Sequence, residues 1–143
     1  MRNNQELDDL IDQLYDLELE QAYFVYIKFC YKIIPLLSNI NSEYIIESIQ
    51  KAKSFWFDSK SNIDEKEIIN RRVKIIKYME EKDIDFNINS EPELKFSIIP
   101  LWTKPPSEDI GDSLDWAFTL LKVINIPDDI VKTKLYEALN DIP

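Results

Sequence analysis

The residues with the most chemistry to offer are carboxylates. Asp8, Asp12, Asp16 and Glu20 recur every fourth residue, which sets them in one row on any helix that runs that far. Glu108, Asp109, Asp112 and Asp115 crowd around Gly111, with Trp102 and Trp116 close by in the chain. Such groups can hold a hard cation, move protons as an acid–base pair, or engage Lys and Arg of another protein. A calcium loop needs ligands spread over about 12 residues and closed by Glu, and neither group has that spacing. No pair of acids is set apart as a hydrolytic couple, because these residues fall at helix caps and polar faces. Pairing with a basic protein fits better. Like charges four apart on a helix cost roughly 0.2–0.5 kcal/mol per pair, so the row holds about 1 kcal/mol of repulsion that a basic partner relieves. An exposed tryptophan rimmed by acids suits the same partner, since tryptophan is enriched at binding hot spots. The plainer alternatives are a solvated face for the row, a capped polar loop for the cluster and core packing for the tryptophans.

Composition narrows the field further. The 143 residues carry a net charge of −10, no histidine, one cysteine and one glycine. Without histidine there is no Ser-His or Cys-His nucleophile, no usual zinc site and no axial-His haem. A single glycine cannot build a Gly-rich phosphate cradle. Cys30 cannot form a disulfide framework; set in an apolar run, it reads as a small buried hydrophobe in a reducing compartment. No cofactor and no metal is expected. Residues Met1 to Glu6 lack the apolar core of a secretory signal. The most apolar stretch, Ala22 to Leu37, is broken by Lys28, Lys32 and Pro35 and falls short of the roughly 20 residues of a membrane span. The expected location is the cytoplasm.

The charge is unevenly placed: residues 1–20 sum to −6, residues 21–106 to +1 and residues 107–143 to −5. Domain termini often lie close together, which would merge the two acidic ends into one surface. Arg71, Arg72, Lys74 and Lys77 form the one basic cluster, read as the solvated side of a helix. Direct nucleic-acid binding is not expected of a chain this acidic, because it repels phosphate.

The elements that must position these groups are mainly α-helical. Hydrophobic periodicity predicts a bundle of about six helices in one domain spanning residues 1–143. A first helix, Asn4 to Glu18, places Leu7, Leu10, Ile11, Leu14 and Leu17 on one face. A second, Leu19 to Leu37, is apolar nearly all round and therefore central, with Pro35 kinking or ending it. A third, Ser42 to Phe57, takes Ser42 as N-cap and turns Tyr44, Ile45, Ile49, Ala52 and Trp56 inward. A fourth, Asp64 to Lys82, is capped by Asn62 or Ser61 and turns Ile68, Ile69, Val73, Ile76 and Met79 inward.

The period then drops to two. Ile84, Phe86 and Ile88 alternate with polar residues, as do Leu94, Phe96 and Ile98, a pattern that leaves a small β-hairpin near 84–99 open, although an isolated two-stranded unit is marginal unless it packs on helices. The competing reading is a short helix capped by Ser90, with Glu93 completing a capping box. Pro100, Pro105 and Pro106 read as a rigid extended connection around Trp102. Asp112 caps a further helix that turns Leu114, Ala117, Phe118, Leu121 and Ile124 inward. Pro127 opens the last helix, with Val131, Leu135, Ala138 and Leu139 at helical spacing.

One stretch carries a resemblance. Phe29-Cys30-Tyr31-Lys32-Ile33-Ile34-Pro35-Leu36, followed by Ile46, Ile49, Ala52 and Trp56, resembles the pattern of small helical bacterial immunity proteins of contact-dependent and polymorphic toxin systems. In those proteins a small or Cys residue precedes a basic-hydrophobic-hydrophobic-Pro turn, and the next helix ends near a Trp. Here Lys32 stands where Arg is common and Tyr31 where an acid is common, and the likeness covers about 30 of 143 residues. It implies a helical scaffold and a cognate toxin as partner, and says little about the toxin-facing surface. Small size, acidity and absent catalytic groups independently fit an inhibitor of a basic toxin domain such as a nuclease. The expected function is thus a non-enzymatic inhibitor, monomer or homodimer, that binds a basic toxin protein through Asp8, Asp12, Asp16 and Glu20 or through the acids around Trp116, with no membrane partner. The alternative is a small helical adaptor or regulator, a homodimer that buries its aromatics, Trp102 among them.

Overall fold

A helix that is apolar on nearly every side has to be surrounded, and α2 (Leu19–Ile33) is. Eight of its 15 residues are buried, including Tyr23, Tyr26, Ile27, Phe29 and Cys30. The computed structural model describes residues 5–38, 40, 42–82, 84 and 90–140. They form seven α-helices: α1 (Gln5–Tyr15), α2, α3 (Glu43–Phe57), α4 (Glu65–Glu81), α5 (Pro92–Ser97), α6 (Ile110–Ile124) and α7 (Asp128–Asn140). Two 3-10 turns, Ile34–Leu36 and Ile99–Leu101, follow α2 and α5, and there is no strand among the described residues. The fold is mainly α, as the periodicity predicts.

Two apolar clusters fill the interior. Residues of α1, α2, α6 and α7, such as Leu14, Phe29, Leu120 and Leu135, make the first. Residues of α3, α4 and the second 3-10 turn, such as Ile45, Ala52, Ile68, Ile75 and Leu101, make the other. The stretch from Pro92 to Leu101 is the wedge between them. Leu94, Ile98 and Leu101 join the second cluster, while Phe96 and Ile99 join the first. This is the reason for helix here instead of a hairpin strand. A strand would send Leu94, Phe96 and Ile98 to one face, whereas helical spacing sends 94, 98 and 101 one way and 96 and 99 another. The first half of the expected hairpin, with Phe86 and Ile88, lies outside the described residues. The alternative cap also differs: Ser90 makes no cap, Glu91 precedes α5 with φ 48, and Glu93 accepts a hydrogen bond from the Ser38 N–H at 2.8 Å.

Aromatic residues of α2 tie the clusters together by their polar tips. The Tyr23 hydroxyl donates to the Trp102 carbonyl at 2.7 Å, and the Tyr31 hydroxyl to the Ile49 carbonyl at 2.7 Å. Trp56, at the end of α3, packs tilted against Tyr23 and donates its Nε1–H to the Pro100 carbonyl at 2.9 Å. Pro100 therefore sits in the second 3-10 turn, not in an extended connection, which begins only at Trp102.

Local chemistry sets the helix ends. Ser42 caps α3, its Oγ accepting the Ile45 N–H. Asp64, not Asn62 or Ser61, caps α4 by accepting the Glu67 N–H at 2.9 Å; the Ser61 Oγ serves the turn before it, accepting the Ile63 N–H. Asp109, not Asp112, caps α6, because Ile110 is already buried helix and Asp112 falls in the first turn. In α4 the inward face is Ile68, Ile75 and Met79, and Val73 is 54% exposed. Ile68 and Met79 face inward as expected and Ile69 and Ile76 are half-buried, so the correction is that Ile75 takes the place expected of Val73. Tyr44, expected inward, faces out beneath the Arg71 guanidinium, 4.9 Å from its ring centre.

Candidate interaction site

The first acidic row does not persist. Asp8 and Asp12 lie exposed on α1, but the helix ends at Tyr15 and the chain turns through Asp16 and Glu18. Glu20 belongs to the first turn of α2, so the four carboxylates share no single helix face. The two ends of the chain do meet: α1 packs along α7, with Glu6 and Lys132 paired at 2.8 Å.

The second acidic group is assembled more tightly, and α1 takes part in it. Tyr15, the last residue of α1, shares a side-chain hydrogen bond with Asp109 at the start of α6. Partial desolvation, that hydrogen bond and the field of Asp109, Asp115 and Asp112 together raise the Tyr15 phenol above its ordinary value. Asp109, Asp112 and Asp115 themselves concentrate negative charge at the N-terminal turns of α6. The helix tolerates it there, since carboxylates complement the positive end of the dipole. Asp109 accepts the Gly111 N–H at 2.8 Å, and Asp112 accepts the Ser107 hydroxyl at 2.6 Å. Gly111 is needed for this approach. A Cβ on it would collide with the Tyr15 hydroxyl.

Trp116, one turn further along α6, is 40% exposed. It stands at the edge of an apolar cavity of about 400 Å³, with Asp112 and Trp102 also in its wall. Tyr23 and Tyr26 of α2, Met79 and Glu80 of α4, and Lys95 of α5 complete the chemistry of that wall. A second hollow of about 480 Å³ adjoins it across Pro106 and Ser107, and Glu20 and Glu108 line that one. Five expected site residues thus line two neighbouring cavities: Trp102, Trp116 and Asp112 the first, Glu20 and Glu108 the second, while Asp109 caps α6 nearby. Asp115 completes the negative charge around Tyr15. Asp8 and Asp12 line neither cavity.

Trp102 is not a free anchor. The Arg72 guanidinium lies 5.1 Å over its ring. The expected solvated basic face of α4 is accordingly half engaged. Arg71 pairs with Glu47 at 2.7 Å and donates to the Ser48 hydroxyl at 2.9 Å, stapling α4 to α3. Lys74 and Lys77 stay exposed.

Cys30 lies fully buried, and desolvation pushes its thiol well above the ordinary value, which leaves it no nucleophilic role. No three of the described His, Cys, Asp and Glu residues are grouped to hold a metal ion. No helix of the described residues is long and apolar enough to cross a membrane. Sequence reasoning missed Tyr15, Glu80, Lys95 and the two buried tyrosines. Their roles arise from how α1, α2, α4 and α5 meet α6, and no local spacing signals that. Against known proteins, the chain matches no family model, no curated protein and no solved structure.

Proposed function

We propose that this chain is a non-catalytic bacterial immunity protein, acting in the cytoplasm, that binds a basic cognate toxin domain and blocks it. The observation that carries the reading is the placement of Asp109, Asp112 and Asp115 on the first turns of α6, where the Tyr15 hydroxyl lies against Gly111, beside the half-exposed Trp116. An aromatic anchor rimmed by carboxylates is the composition of a hot spot for a Lys- or Arg-rich surface. The carboxylates would take the cations that a toxin nuclease uses for phosphate, and the bulk of the helical body would cover its site. Asp8 and Asp12 then contribute long-range attraction, which speeds association more than it tightens the complex.

The test is binding to the product of a toxin gene adjoining this one. The expected result is a complex that weakens steeply with salt, with Trp116→Ala slowing nothing but raising the dissociation rate, and Asp112→Asn with Asp115→Asn lowering the association rate. Absence of salt-sensitive binding removes the proposal's main support. The homodimeric adaptor needs Trp102 shielded by a second copy, yet Arg72 of the same chain already covers one face of it. Light scattering that gives a dimer would favour the adaptor, and a monomer the inhibitor.

A further inference from the structure

The cavity beneath Trp116 is of a size, about 400 Å³, that falls within the roughly 300–1,000 Å³ of small-molecule sites. Its wall is aromatic and aliphatic: Tyr23, Tyr26, Trp102 and Trp116 with Met79 and Ile98. Polar character is confined to a few groups. Glu80 of α4 and Asp112 of α6 are exposed, so their carboxylates mark the mouth. Lys95, also in the wall, is 5% exposed. Two carboxylates against one ammonium leave the lining negative, within a chain whose net charge is −10.

From this arrangement we infer that the cavity is a binding site for a small apolar amine, an arylalkylammonium, with its ring among Tyr23, Tyr26 and Trp116 and its charged end between Glu80 and Asp112. Three effects act together. The ring leaves water for an apolar wall. The ammonium meets two carboxylates and the edge of an aromatic lining, where cation–π attraction adds to the ion pairs. The field of the whole molecule concentrates cations and repels anions at the mouth. An anionic ligand of the same shape must pass Glu80 and Asp112. The site shares Asp112 and Trp116 with the surface proposed for a basic protein, but its test needs no protein partner and can fail without touching that reading.

Three probes with one ring and three charges separate these effects: phenethylammonium, 2-phenylethanol and 3-phenylpropionate. Each is titrated into the purified chain at low salt, read by tryptophan fluorescence and by calorimetry. Saturable binding of phenethylammonium is expected, roughly 3- to 10-fold tighter than the alcohol, with the carboxylate weakest. Glu80→Gln with Asp112→Asn should bring the amine down to the level of the alcohol while leaving the alcohol unchanged. Both positions are exposed, and circular dichroism is the check that the double variant stays folded. Ser113→Phe, at a wall position, should weaken all three probes together. The inference is overturned by no saturable response, by an anion that binds as well as the amine, or by an amine preference that survives the double variant.

Discussion

Three tyrosines do the work of polar ties from inside an apolar helix, and their chemistry is testable. Tyr23 and Tyr31 donate to backbone carbonyls across the interior, and Tyr26 shares a hydrogen bond with Cys30. Desolvation is the main cause that raises all three phenols above the usual tyrosine value. A group whose folded value lies above its unfolded one contributes stability that is complete below the unfolded value, about 10 for tyrosine. That contribution is lost as pH climbs beyond it toward the folded values. The chain should therefore stay helical through neutral pH and unfold in alkali, with these three phenols ionising together as the helix is lost. Parallel records of phenolate absorbance and far-ultraviolet circular dichroism check this. Ionisation of all seven tyrosines with the helix signal intact would contradict it. At this scale Cys30 was legible, because a lone thiol inside an apolar run has nowhere else to go. Tyr15 was not. It is 52% exposed, and its contact with Asp109 exists only because α1 ends against the start of α6. The caps were half legible: Ser42 stood alone at the start of α3, but before α4 and α6 the sequence offers several acids or serines within a few residues, and the true caps are Asp64 and Asp109.

At the scale of elements, α5 and its 3-10 turn serve as a wedge that faces two cores at once. Long helices announce themselves by a single apolar stripe, and α1, α3 and α7 were read within a few residues on that basis. A short helix buried on both sides has no stripe; its apolar residues fall at alternate positions and imitate a strand. Pro92 and Pro100 sharpen the point, since each stands at the first turn of its helical piece, where the missing N–H costs nothing. The helical account makes Phe96 a filler of the α1–α2–α6–α7 core at 0% exposure. Phe96→Ala should cost about 3–5 kcal/mol, and Ile75→Ala on α4 about 2–5 kcal/mol. Val73→Ala should stay within about 0.5 kcal/mol of the parent, because that residue faces solvent. Denaturant titration of the three variants gives the order. A costly Val73→Ala beside a harmless Ile75→Ala would restore the α4 face expected from periodicity alone.

The whole molecule lives with its own charge. Its net −10 remains whatever its charges pair with, and ion pairs such as Glu6 with Lys132, Glu47 with Arg71, Glu67 with Lys51 and Glu137 with Lys134 act only at contact range. Each is partly exposed and so contributes roughly 0–1 kcal/mol. Against them stands the crowding of Asp109, Asp112 and Asp115 at one helix start and of two acidic chain ends brought side by side by α1 and α7. Repulsion of this kind reaches further than a contact pair and is screened first. The Debye length falls from about 30 Å at 0.01 M salt to about 8 Å at 0.15 M, which removes long-range repulsion while leaving pairs at contact distance largely in place. Added sodium chloride should therefore raise the melting temperature over that range, and Asp115→Asn should raise it at low salt and flatten the rise. A melting temperature that falls with salt would mean that attraction between the ion pairs outweighs the repulsion. The acidic surface would then be a balanced one. A surface kept under repulsive tension, by contrast, is one whose tension a basic partner relieves on binding, so the same melts measure how much of the proposed recognition is held in the free protein.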